Sequence, residues 1–242
     1  MEDPSSSRDR AVQRMFDRIA RRYDLLNRVI SLRLDGYWRK KAVQAVFQDS
    51  DQLILDLGAG TGDLAFTAAT RVRGRGRVVG LDFSFEMLKL AQAKRAHAPN
   101  ADMTSFVLGS ALAPPFRGAT FDGVVTAFVL RNVSDLTLFF RRAFQVLKPG
   151  GKLASLDMYP PSKSLFSIFY SLYFYRAVPC IGQVLAGDRS AYQYLSESVR
   201  RFEPPEKICL LIQRAGFERV SVRKFLFGAV CLHVAEKSSR AD

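Results

Sequence analysis

No stretch of this 242-residue chain offers the ~18 consecutive apolar residues that a membrane-spanning helix needs. The nearest approach is SLFSIFYSLYFYRAVP, residues 164–179, which Arg176 and Pro179 cut short, so a span is not expected. Cysteine is scarce. Cys180, Cys209 and Cys231 lie far apart without CxxC spacing, which argues against a disulfide framework or a zinc site and for a reducing compartment. Histidine is scarcer, with His97 and His233 alone, so imidazole chemistry has two candidates. Acidic residues are outnumbered 23 to 36 by Lys and Arg, which gives a net charge of +13. That excess attracts polyanions and leaves nucleic acid and an anionic membrane surface both open as partners. Much of it sits in RDRAVQRMFDRIARRYDLLNR and in WRKK. The first residues, MEDPSSSRDR, lack the apolar core of a secretory leader and read as a frayed polar tail.

What is there is an alternation. Residues 8–22 and 37–47 read as helices, and then LILDL, RVVGLD, TSFVLG, DGVVTAF and KLASLD follow as short β-rich runs. FEMLKLAQAKRA and LTLFFRRAFQVL lie between them with helical apolar spacing. Strands alternating with helices predict crossover units and a mostly parallel sheet. KPGG, residues 148–151, reads as a break between a helix and a strand. Pro204 and Pro205 open a helix that Gly216 closes, and RVSVRKFLF with AVCLHVAEK reads as an antiparallel hairpin around Gly228. The predicted organisation is one domain over residues 1–242, with N-terminal helices over 1–48 and a helical insertion over 158–203 placed over one end of the sheet.

The sharpest motif is GAGTGD, Gly58 to Asp63, between a strand ending at Asp56-Leu57 and a helix starting near Leu64. Glycines let the chain turn sharply and let a ligand come close to the backbone. Asp82 ends the next strand about 20 residues on, where a carboxylate accepts from both hydroxyls of a ribose. The pair predicts a nucleoside-containing cofactor. A dinucleotide is the rival, since GTGDLA fits G-x-G-x-x-A. Pyrophosphate, however, wants bare amides and a positive helix end, and here Asp56 and Asp63 flank the loop. An acidic frame suits the ammonium group of S-adenosylmethionine. On this reading Asp56, Gly58, Gly60, Thr61, Gly62, Asp63 and Asp82 form the cofactor loop. Phe83 and Met87 pack on the adenine, Ser110 and Ala111 lie at its edge, and Ala127 with Phe128 lines the reactive end.

FDRIARRYDLLNRVIS, WRKKAV, LDLGAGTGDLA, FVLRNVSD, LKPGGKL and YQYLSESVRRF together resemble the quinone-biosynthesis C-methyltransferases of the UbiE/MenG type, over about residues 12–237. The glycine loop alone indicates only a class I methyltransferase. LRNV and YLSESVRRF are far more specific to the family. The resemblance implies a Rossmann-like α/β fold with a mostly parallel seven-stranded sheet and an antiparallel C-terminal hairpin. It implies S-adenosylmethionine as methyl donor, S-adenosylhomocysteine as product and a polyprenyl quinol as acceptor. It also implies Thr61, Asp82, Ser110, Ala111 and Ala127 as donor contacts. The chain departs from the family pattern at Ser110, at Val129 and at LDMYPP, where Asp157 stands in place of Glu.

Ring-carbon methylation needs no metal, and none is predicted. The protein has to position two reactants, exclude water and handle one proton. Arg131 is a candidate to stabilise a phenolate and Asn132 to hold a quinol oxygen, with helix capping and a salt bridge as the structural alternative. Tyr194, with Tyr192, Arg200 and Arg201, is a candidate to close over the ring. His233 is the candidate histidine, with a structural role as its alternative, and His97 reads as a surface residue. Residues 164–179 carry a thin serine stripe on an otherwise apolar helix, which suits a lid or wall for the quinol and its tail, or packing in a homodimer or against the core. Cytoplasmic location is expected, with peripheral contact at the inner face of an anionic membrane. Rival readings are a ubiquinone-precursor methyltransferase, a methyltransferase for another small hydrophobic acceptor, a nucleic-acid-binding module and a structural subunit. No stacking platform supports the nucleic-acid reading, and none is expected to bind.

Overall fold

The computed structural model describes residues 4–48, 51–160 and 189–239. Helices α1 (Pro4–Ile30) and α2 (Asp35–Val46) lead into β1 (Leu53–Leu57), α3 (Asp63–Ala69), β2 (Arg77–Asp82), α4 (Phe85–Arg95), β3 (Thr104–Leu108), β4 (Phe121–Ala127), α5 (Leu136–Val146) and β5 (Leu147–Met158). Then come α6 (Arg189–Arg200), α7 (Pro205–Arg214), β6 (Glu218–Phe225) and β7 (Val230–Glu236). Residues 164–179 and Cys180 lie outside the described residues, as does most of the expected 158–203 insertion. No helix among the described residues is long and apolar enough to cross a membrane.

The strands form one sheet in the order β3-β2-β1-β4-β5-β7-β6. The first five are parallel, and β7 is antiparallel to both β5 and β6. The order reverses between β1 and β4, which makes the carboxyl ends of those strands the place where an open α/β sheet opens a crevice. Central strands such as LILDL are buried on both faces, which explains their near-continuous apolar character. One face packs α2 and α3 through Trp38, Val43, Val46 and Leu64. The other packs α5 and α7 through Phe139, Phe140, Ile208 and Ile212. A third cluster joins α1 to α6 and to the β6–β7 turn through Met15, Ile19, Ile30, Val199 and Ala229.

Two expectations are corrected. The polar N-terminus is not a frayed tail from Pro4 onward, because helix α1 starts there, with Pro4 at a first-turn position that needs no N–H donor. KPGG does not separate a helix from a strand. It lies within β5, where the partner register shifts between Phe121 and Gly123 and Gly150 takes a φ of 76°.

Gly80 explains why β2 carries a glycine in its interior. A Cβ there would lie 2.7 Å from the Phe106 ring of β3 and 2.8 Å from the Ala59 Cβ of the glycine loop. The missing side chain lets the loop settle on the sheet. Gly80→Ala is therefore expected to lower stability by about 1–3 kcal/mol through overpacking. A lowered urea midpoint at unchanged m would show it, and an unmoved midpoint would refute it.

Candidate active site

The crevice predicted by the strand order is a pocket of about 290 Å³ at the carboxyl ends of β1, β2, β3 and β4. Gly58, Gly60, Asp82, Phe83, Met87, Ser110, Ala111, Ala127 and Asn132 all lie on its wall. Phe128 and Val129 complete the β4 side. The glycine loop is pinned over the end of β2. Gly58 N and Ala59 N donate to Leu81 O at 2.8 and 3.0 Å, and Gly60 N donates to Asp82 Oδ2 at 2.7 Å. The second oxygen, Asp82 Oδ1, accepts from Ser84 N at 2.8 Å. Ser84 in turn caps α4 by accepting from Met87 N at 3.1 Å, which fixes Met87 against the pocket. The Phe83 amide adds a third backbone donor, which still leaves the carboxylate acceptor capacity for a ligand.

Asp56 is fully buried behind this wall, and neither of its carboxylate oxygens has a hydrogen-bond partner. Burial pushes its carboxyl up to about 7, with repulsion from Asp82 and Asp63 adding to the shift and Arg39 of α2 opposing it. Burial likewise pushes Asp82 up to about 6 against the backbone donors that favour its charged form. Burial also opposes ionisation of Asp63, but Arg39, Lys94 and Arg28 outweigh it and hold that carboxyl below its ordinary value. Arg39 is itself buried and lies over the Phe128 ring at 5.2 Å.

Thr61, Gly62 and Asp63 are set back from the wall. Thr61 Oγ1 donates to Asp24 of α1 at 2.5 Å, and Lys94 of α4 donates to Thr61 at 2.9 Å and to Asp63 at 2.7 Å while also pairing with Asp24. Gly62 opens α3 at a φ of 87°. These residues shape the loop from behind.

Sequence reasoning missed the roof. Asp9, Gln13, Phe16 and Tyr23 of α1 line the same pocket. Gln13 donates to Phe83 O at 2.7 Å, Ser84 donates to Asp17 at 2.5 Å, and Ser134 donates to Asp9 at 3.0 Å. The signal was present as a helical stripe, since Asp9, Gln13, Asp17 and Asp24 recur close to the helical repeat.

The four catalytic candidates separate. Asn132 is on the wall, and its side chain donates to Phe128 O at 3.3 Å. Arg131 is buried and ion-paired to Asp157 at 2.5 Å, with its guanidinium 5.9 Å from the Phe128 ring centroid. Arg131 Nε and Asp157 Oδ2 remain without partners. Tyr194 is off the wall, on α6, where burial raises its phenol against the pull of Arg8 and Arg131. His233 is not brought to the pocket. It is fully buried in β7, with Nε2 3.0 Å from Pro205 O and Nδ1 3.4 Å from the Tyr159 hydroxyl, so both ring nitrogens face protein groups. Burial holds it below the ordinary histidine value, as suits a neutral structural residue. His97 is exposed, as expected.

The set of groups fits a nucleoside carrying a cationic tail. Asp82 can answer a ribose, Leu81, Met87 and Phe83 offer apolar faces to a base, and the unanswered Asp56 carboxylate calls for a positive charge. A Cβ placed on Gly60 would meet nothing within 4 Å, so that side of the loop is open for a ligand. A pyrophosphate would instead face the carboxylates of Asp82 and Asp9, with Asp56 buried behind the wall.

A model of the ubiE/COQ5 methyltransferase family matches residues 4–237. The chain belongs to that family. Relatives within the ubiE/COQ5 group include the demethylmenaquinone methyltransferase of Thermus thermophilus, 40% identical over 223 residues that span 92% of this chain and 100% of that protein. The demethylmenaquinone methyltransferase of Lactiplantibacillus plantarum is 37% identical over 95% of this chain and 97% of that one. The ubiquinone/menaquinone biosynthesis C-methyltransferase UbiE of Roseobacter denitrificans is 34% identical over 95% of this chain and 92% of its own. The fold of this ubiE/COQ5 member also matches a solved SAM-dependent methyltransferase of Thermotoga maritima, with a TM-score of 0.65 and 18% identity over 94% of this chain and 100% of that one.

Asp56 makes a pH prediction. Its folded value is about 7 against an ordinary 3.8, so the ligand-free fold keeps a proton that the unfolded chain releases. This stabilisation is complete at low pH and is lost as pH rises from about 4 through about 7. Urea unfolding across that window should show Asp56→Asn losing less stability than wild type. Equal losses in the two proteins would mean that Asp56 is not held neutral by burial.

Proposed function

We propose that this protein methylates a ring carbon of a reduced polyprenyl quinone, with demethylmenaquinol as the acceptor and S-adenosylmethionine as the donor. The observation that carries the reading is the position of Asn132 on the wall just after β4, next to the buried Arg131 that Asp157 of β5 holds over the pocket-lining Phe128 ring. When bound, S-adenosylmethionine supplies an electrophilic methyl on a sulfonium and leaves as S-adenosylhomocysteine. Asp82 and the Gly60 edge hold the nucleoside, Met87 and Phe83 clamp its base, and Asp56 balances the cationic tail.

A hydroquinone carbon becomes nucleophilic as the neighbouring hydroxyl gives up its proton, because the charge spreads onto the ring. Arg131 stabilises that phenolate, and Asp157 keeps the guanidinium oriented and its burial tolerable. Asn132 fixes a quinol oxygen so that the carbon faces the methyl. Phe16, Tyr23 and Phe128 keep water away from the reacting atoms. Neither histidine serves as base, since His97 is exposed and His233 is spent in the core. The ring proton therefore leaves through the acceptor's own oxygen or solvent. A benzoquinol precursor of ubiquinone is the second acceptor class, favoured by the names of relatives such as the Desulfotalea psychrophila UbiE at 37% identity.

The deciding experiment offers both ring types, as reduced short-tail quinols, with product mass as the readout. Transfer to the naphthoquinol and none to the oxidised quinone is expected, and failure with both reduced rings would refute the reading. In the same assay the paired change Arg131→Gln with Asp157→Asn removes the charges together and spares the fold a lone buried ion. It should keep donor affinity and lose about 100-fold or more in turnover. Turnover within about twofold of wild type would remove Arg131 from the mechanism.

A further inference from the structure

Two turns meet at one corner of the molecule, and both expose bulky apolar side chains. The α1–α2 turn exposes Leu32 at 70% and Leu34 at 37%, and Tyr37 follows on α2 at 47%. The β6–β7 turn exposes Phe227 at 67%. Tyr37 and Phe225 join the two turns through an edge-on ring contact at 6.1 Å. Beneath them Ile30 packs with Leu226 and Ala229.

The backbone at both turns is unusual. Leu32, Arg33, Leu226 and Phe227 all have φ between 46° and 64°. Leucine and phenylalanine seldom adopt that left-handed conformation, which glycine or asparagine would take with less strain. In the β6–β7 turn only Gly228, at a φ of 90°, is the residue such a backbone favours, and both turns carry an exposed apolar tip at a left-handed position.

The chain around both turns is basic, and on β6 Lys224 is answered by Glu206 of α7 at 3.1 Å. Across residues 28–48 and 219–229 the sole acidic residue is Asp35, which is buried and occupied by Ser31 at 2.7 Å and by Arg39. Arg33 is exposed on the first turn. Lys41 lies over the Tyr37 ring at 5.5 Å, and Arg223 lies over the Phe225 ring at 5.3 Å. Apolar tips ringed by cations match the two layers of an anionic bilayer surface, with headgroups outside and acyl chains within.

The corner also faces the active direction. Tyr159 N donates to Ala229 O at 2.9 Å and Met158 pairs with Val230, so the β6–β7 turn sits at the carboxyl end of β5. Strand β5 is parallel to β4, whose carboxyl end lines the donor pocket.

We infer that the α1–α2 and β6–β7 turns together form a docking surface for an anionic lipid bilayer, with Leu32 and Phe227 as its inserting tips. Docked this way, the enzyme rests its active edge on the membrane, and a polyprenyl acceptor reaches the site without its tail crossing water. The inference rests on the quinol reading for its purpose, but not for its measurement.

The test is flotation with vesicles of phosphatidylcholine, with and without phosphatidylglycerol, and with no acceptor present. The variant is Leu32→Asn with Phe227→Asn, because asparagine suits the left-handed turns and keeps the fold. Wild type should bind the anionic vesicles in preference to the neutral ones. The double variant should lose about tenfold or more of that binding. It should melt no lower than wild type and turn over a tail-less soluble quinol at the same rate. Binding within about twofold of wild type would overturn the inference, as would equal binding to neutral vesicles. If wild type ignores vesicles and the double change converts a dimer to a monomer in light scattering, the surface belongs to a second copy and the lipid assignment falls. Failure of the quinol reading would appear only in the methyl-transfer assay and would leave the vesicle result unchanged.

Discussion

A carboxylate at the end of a buried strand must be answered by donors, and in this protein the donors that answer Asp82 are the parts of the site. One oxygen takes the Gly60 amide, and the other takes the Ser84 amide. The first bond holds the glycine loop over the sheet, and the second sets the start of α4 and with it Met87. Remove the carboxylate and three things lose their reference together: the loop, the helix cap and the group that meets a ribose. The register makes this possible, because Leu57 pairs with Leu81 and so brings the end of β1 level with the end of β2.

Around that fixed point the charges are arranged in layers. Asp56 and Asp82 lie innermost and bear the full penalty of burial, which raises both. Asp63 lies further out and is relieved by Lys94 and Arg39. Helix α1 closes the top, and its polar stripe bonds to the loops after β1, β2 and β4. The helix therefore does two jobs with two faces. One side roofs the donor pocket, and the flank next to it carries exposed arginines such as Arg14 and Arg21.

Much of this was legible in the sequence. The alternation of strands and helices and the C-terminal hairpin were readable because parallel strands buried on both faces become continuous apolar runs. The glycine loop and Asp82 were readable because few ligands require both. What stayed hidden depends on long-range contact. Nothing local to RAVQRMFDR says that Gln13 reaches Phe83, seventy residues away. Arg131 finds its partner Asp157 on β5, 26 residues on, and no neighbouring residue marks it. His233 looked like a catalytic histidine because the chain has so few. In the fold it is a core residue bracketed by Tyr159 and Pro205, and its scarcity reports on packing. Thr61 and Asp63 were placed in the right loop but on its far side, since spacing alone does not tell which way a turn presents its side chains.

Asp82 serves the loop and the donor at once, and calorimetric titration of S-adenosylmethionine into wild type and Asp82→Asn tests this most directly. The expected result is single-site binding to wild type and an affinity at least about tenfold lower in the variant, the order of one charge-assisted hydrogen bond. An affinity within about twofold of wild type would contradict the account, because the residue that organises the site would then contribute nothing to what the site holds.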